Sequence, residues 1–139
     1  MTLRQLVATK IQDANLGFKE VAAAADLEAI IKGAVLAPGC YIYRQSNRAH
    51  PNTAINRVRQ KRAEFIGLVV VTRNVKDGKG GGNADESEGF CDLLMEQLLG
   101  HAPSEDYLPM EYVSGDLILL KDGSHYWREI YQSSRFISA

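Results

Sequence analysis

Apolar residues recur along this chain at changing intervals, and each change of interval marks a new element. Leu3, Leu6, Val7 and Ile11 fall on one helical face, with Arg4, Gln5, Lys10 and Asp13 elsewhere, which predicts a one-sided helix over residues 2–14. Thr2 followed three residues later by Gln5 is a capping-box arrangement that ties down its first free N–H groups. Asn15 and Gly17 tolerate the left-handed backbone that ends helices. A short strand is expected over residues 18–21. A second helix is expected over residues 22–32, with Leu27, Ile30 and Ile31 facing inward and Gly33 as its stop. Pro38 and Gly39 signal a turn, residues 40–43 a strand, and the polar residues 45–54 a loop leading to a long strand from about Ile55.

That long strand and its sequel dominate the chain. From Phe65 to Val71 every residue but Gly67 is a strong strand former and no polar residue alternates, so the segment is expected mid-sheet with both faces covered. Upstream, Arg57, Arg59 and Lys61 share one face at period two, and Val58, Gln60 and Arg62 the other. The strand therefore carries its charges out of the core at its N-terminal end. A glycine-rich loop follows, then a helix over residues 83–99. Asn83 and Glu86 form a second capping box, acids fill the first turns, and Phe90, Cys91, Leu94 and Leu98 build a broad apolar face. Gly100 and Pro103 end it. Residues 111–120 and 124–137 read as antiparallel strands around a tight turn at residues 121–123.

Composition adds limits. A chain of 139 residues suits one domain, expected over residues 1–139, and 45% hydrophobic residues make it globular. A net charge of −1 gives no general pull toward nucleic acid or anionic membrane, so electrostatic function must come from local clusters. No apolar run is long enough to span a bilayer, and the N-terminus is too mixed in charge for a secretory signal. Cys40 and Cys91 stand far apart without metal or disulfide spacing, and both fall in expected core elements.

A strand, a glycine loop and a helix in that order invite a nucleotide-binding reading. The details oppose it. A P-loop needs GxxxxGK and then a hydroxyl residue, yet Lys79 precedes Gly80, Gly81 and Gly82, and Asn83 follows. Gly78 and Gly80 begin a GxG, but Asn83 stands where the fingerprint needs its third glycine. Asp85, Glu86 and Glu88 would repel a phosphate at the helix start. His50, His101 and His125 have no metal spacing, no serine lies in GxSxG, and Asp77, Asn83 and Asp85 lack the alternate-position ligands of a calcium loop. No catalytic residue, cofactor or metal is expected. The basic run of Arg57, Arg59, Lys61 and Arg62 is suited to phosphates or to an acidic protein surface, the bland alternative being a solvated strand end. Tyr41, Tyr43 and Phe65 read as sheet core, and part of the set Tyr126, Trp127 and Tyr131 as exposed.

Several blocks, in order, resemble the phage tail terminator proteins. They are Pro51 and Asn52, the run Arg57-Val58-Arg59-Gln60, the strand end Arg73-Asn74-Val75, and an Asp/Gly loop before a helix. The helix end from Leu99 to Pro103, the run from Leu108 to Val113, and Tyr126-Trp127 with Glu129 complete the series. The likeness covers roughly residues 38–139, and the N-terminal helices match only in type. It implies an α+β fold, a mixed and mostly antiparallel sheet of about four to five strands packed by helices. It also implies a ring, typically a hexamer of this chain, that caps the tail tube protein, stops its polymerisation and meets the head–tail connector protein. No membrane is involved, and non-specific contact with passing DNA is allowed. In that ring Arg57, Arg59, Lys61, Arg62 and Arg73 are the expected interface residues, facing a neighbour, the tube or the DNA lumen. Asp77, Gly78, Lys79, Gly80, Gly81, Gly82 and Asn83 are the expected mobile docking loop. The alternatives are another phage head–tail joining or minor tail assembly protein, and a phosphate- or nucleotide-binding enzyme using residues 78–83.

Overall fold

The computed structural model describes residues 1–74 and 81–139. Its elements run in the order α1 (Leu3–Ala14), β1 (Glu20–Ala23), α2 (Leu27–Lys32), β2 (Gly39–Ala49), β3 (Arg59–Arg73), α3 (Gly81–Leu98), β4 (Glu111–Lys121) and β5 (Ser124–Ser138). The fold is α+β. Five strands form one sheet in the order β1-β2-β3-β5-β4, in which only β1 and β2 are parallel.

The capping box at Thr2 forms with both of its hydrogen bonds, and Asn15 closes α1 in the left-handed conformation with φ 55°. The apolar segment of β3 is central, between β2 and β5, as its lack of alternation requires. Its side chains divide by parity. Ile66, Leu68 and Val70 face α1 and α3 in a core with Val7, Ile11, Leu94, Leu98 and Tyr131. Val69 and Val71 face the other way and pack with Ile30 of α2 and with Tyr41, Tyr43 and Tyr126. Gly67 has a specific cause. Tyr43 pairs with it across β2, and its ring lies over the space that a Cβ would occupy.

Four expectations are corrected. Residues 45–49 continue β2 instead of looping, because Ser46 through Ala49 pair with Phe65 through Arg62 after a bulge at Gln45, and backbone pairing needs no apolar side chain. The second helix begins at Leu27, not at residue 22. Residues 20–23 add instead to the edge of the sheet, and Asp26 caps the helix by accepting from the Ala29 N–H at 2.8 Å. Asn83 is not an N-cap, since α3 is already helical at Gly81. Its buried side chain donates to the Gly123 carbonyl at 3.1 Å and fastens the helix to the β4–β5 turn. Asp85, Glu86 and Glu88 consequently lie beyond the first turn. Within the C-terminal aromatic set, Tyr126 and Tyr131 are buried on opposite faces and only Trp127 is partly exposed.

The turn between β4 and β5 is tight, with Asp122 and Gly123 both at positive φ, and Gly100 ends the third helix at φ 78°. Cys40 and Cys91 are free and buried, and burial pushes both thiols above their ordinary range.

Candidate interaction surfaces

Strands β2, β3 and β5 pair side by side, and their ends at Ala49, Arg59 and Ser138 come together as a ribbon. Residues 44–49 of β2 are all exposed, and β3 begins with exposed Arg59. The pairing continues beyond the strand ends, since Val58 and Ala139 exchange both backbone hydrogen bonds at 3.1 and 2.9 Å. The approach to this tip is folded by Asn52, which accepts from the N–H of Arg59 at 2.9 Å and donates to the Arg57 carbonyl at 3.0 Å.

The expected basic run is split by this geometry. Arg57 lies in the bend before β3 and is exposed, outside the strand in which it was expected. Arg59 lays its guanidinium over the Phe136 ring, 4.0 Å from the centroid. Lys61 is half-buried. Arg62 turns back toward the helices and meets Glu64 at 3.2 Å. Arg73, at the other end of β3, is about 45 Å from Arg59 at the rise of an extended strand. It borders a different cleft, with Lys19, Lys32, Lys121 and Asp122. Asp77, Gly78, Lys79 and Gly80 of the expected docking loop lie outside the described residues, whereas Gly81, Gly82 and Asn83 form the first turn of α3.

Sequence reasoning missed the hub beside Arg62. Glu64 is the lone acid in the run from Ala63 to Val71, a break in an otherwise apolar segment that is itself a signal. Its carboxylate is buried and accepts from the Tyr107 hydroxyl at 3.1 and 3.2 Å, from Arg62, and from Arg135 Nε at 2.9 Å. Burial and the adjacent carboxylate push the Tyr107 phenol up. The hub forms the floor of a cleft of about 900 Å³ that Arg4, Arg44 and Asp106 also border. Four arginines against two acids leave this cleft electropositive.

A second site lies under α3, about 30 Å along the sheet from the ribbon tip, because Glu129 pairs with Leu68, nine residues from Arg59. Ser87, His125 and Glu129 line a pocket of about 250 Å³ there, each at least nine-tenths buried. His125 Nδ1 has no hydrogen-bond partner, while Ser87 and Glu129 are met only by the Cys91 thiol and, for Glu129, by the Tyr112 hydroxyl. Burial lowers the His125 imidazole from its ordinary value. Among the described residues no group of three or more His, Cys, Asp or Glu is spaced to hold a metal, and no helix is long and apolar enough to cross a membrane. The arrangement therefore offers one electropositive end and one acidic pocket, both suited to charge-complementary contact.

A mixed sheet with helices on both faces and oppositely charged surfaces at separate places makes this a small α+β domain with strongly separated charge. Its fold is shared with a chain of a solved structure described as the virion of a native gene transfer agent (GTA) particle, at TM-score 0.61 and 11% identity over 97% of this chain and 95% of that one. The model of the phage tail terminator protein family matches residues 2–138, so the chain belongs to that family and is a phage tail structural protein. None of the curated proteins compared matches the sequence.

Proposed function

We propose that the chain acts as one domain that assembles into a ring, a hexamer, closing the end of the tail tube. The ring halts tube polymerisation and presents the surface that the head connector joins. Assembly takes place in the host cytoplasm, and the product stays in the virion tail. The observation that carries this reading is the ribbon end, where Arg59 on β3 and Arg57 in the bend before it are both exposed and open to a neighbouring copy or the tube protein. Head-to-tail contacts between unlike patches close into rings, and charge complementarity fixes their register. Lys61 is assigned to the same contacts, whereas Arg62, held by Glu64, and Arg73, at the far end of β3, are assigned to separate contacts of the ring, as is the glycine-rich stretch of residues 77–80.

The test is charge reversal at the tip. Arg57→Glu with Arg59→Glu is expected to abolish ring formation, read by mass measurement and negative-stain imaging on tubes, and to block tail joining while leaving the melting temperature within about 2 °C of wild type. Rings formed normally by the double variant, or saturable nucleotide binding in calorimetry, would overturn the reading.

A further inference from the structure

Resting on the ring reading, we propose that the pocket under α3 is the socket for the Arg57 guanidinium of the neighbouring copy. Three features of the pocket select a cation of this shape.

The first is underused hydrogen bonding. His125 Nδ1 is buried without a partner, and Ser87 and Glu129 have beside them only the weak Cys91 thiol and, for Glu129, the Tyr112 hydroxyl, which leaves acceptor capacity for a donor from outside. A guanidinium brings five N–H donors in a rigid planar fork and accepts nothing, so it complements acceptors set at different angles. The second is charge. Glu88 and Asp92 of α3 are exposed at the rim above Glu129, and no lysine or arginine lines the pocket. The third is aromatic: Trp127 lines the pocket, its ring parallel to that of His125 with centroids 6.4 Å apart, and such rings suit a planar cation.

The occupant follows from what the chain leaves unused at its tip. Arg59 is on Phe136 and Arg62 is on Glu64, while Arg57, like Arg44 and Arg48 of β2, has neither an ion pair nor a ring partner among the described residues, and of these three Arg57 alone stands in the bend ahead of the paired strands. Asn52 holds the Arg57 backbone, so part of the ordering cost of docking is met in the free chain. The separation of about 30 Å along the sheet rules out the chain's own Arg57. Donor and socket are thus different patches on one molecule, as a head-to-tail ring requires.

Trp127 is the only tryptophan and therefore the reporter. A peptide of residues 52–62 is titrated against the full chain while tryptophan emission is followed. A saturable change is expected, absent with the Arg57→Gln peptide and weakened about tenfold or more in Glu129→Gln protein. Glu88→Gln with Asp92→Asn, on exposed positions that leave the core untouched, is expected to weaken it as well and to reduce its dependence on salt. No saturable change, equal binding of the Arg57→Gln peptide, or an emission change produced by zinc chloride that the peptide fails to displace would each overturn the socket. Rings formed at wild-type concentration by a chain carrying Glu88→Gln, Asp92→Asn and Glu129→Gln together would overturn the socket and leave the ring reading standing. Peptide capture by a chain that never forms rings on tubes would support the socket and overturn the ring.

Discussion

Glu64 shows how one residue organises a surface. Its carboxylate is shared among Arg62, Arg135 and the Tyr107 hydroxyl, and its side chain is 10% exposed. Removing the charge leaves two guanidiniums facing each other over a cleft that is already electropositive. Glu64→Gln is therefore expected to cost about 2–3 kcal/mol, measured by urea denaturation, with Arg135, the more exposed partner, contributing the smaller share. Two imidazoles give a pH dependence at the same scale. Burial lowers both His101, helped by the positive charge of Lys10, and His125 below the ordinary 6.5. A depressed imidazole means that the unfolded chain takes up the proton first as pH falls. The stability that these neutral imidazoles carry is thus present above about 6.5 and drains away below it. His125 faces Glu88, Asp92 and Glu129, so its share is expected to be smaller than burial alone would give. Thermal melts from pH 7.5 to 5.0 should show a falling midpoint, and His101→Gln should flatten the slope.

Among the elements, β3 was the most legible and its neighbour β2 the least. Residues 65–71 announced a central strand because burial on both faces leaves no polar alternation, and that signature lies in the side chains. Residues 45–49 carry the composition of a loop, and what makes them a strand is the ladder to β3, which sequence pattern does not record. The same cause shortened the second helix, since alanines at 22 and 23 suit a helix but were taken up at the sheet edge. For α3 the error was in position. Asn83 fits a cap by type, yet the Gly123 carbonyl across the fold decides its role. The interface set was legible in kind, as a basic strand entry. The inward turn of Arg62 was not, because it depends on Arg135 and Tyr107, more than 40 residues away in the chain. Gly67 read only as a weak point in the strand, and the Tyr43 ring explains it. Gly67→Ala should force that ring aside and disturb its bond from Arg128, costing about 1–3 kcal/mol in chemical denaturation with the fold retained.

Across the whole molecule, a net charge of −1 conceals a strong separation. The ribbon tip and the cleft beside it are basic, the pocket under α3 is acidic, and the two compensate in the total. A chain built this way should bind its own kind less as it is diluted and as salt is added. Light scattering is expected to show self-association that weakens steadily between about 50 and 500 mM salt, since the screening length shrinks across that range. A salt-independent association would point instead to the exposed apolar side chains of the edge strand β4, Leu117 and Leu120 among them.

The pairing of Val58 with Ala139 has a practical consequence for handling the protein. Anything attached after Ala139 emerges within a few ångströms of Arg57, and anything placed before Met1 starts at the rim of the cleft that Arg62 and Arg135 border. Labels at either terminus therefore land on the basic end. A C-terminal fluorescent fusion should melt like the untagged chain and fail to assemble, whereas an insertion between Asp122 and Gly123, at the opposite end of β5, should leave the Arg57 end unobstructed. The choice of tag position is thus itself a probe of which surface of this molecule is spoken for.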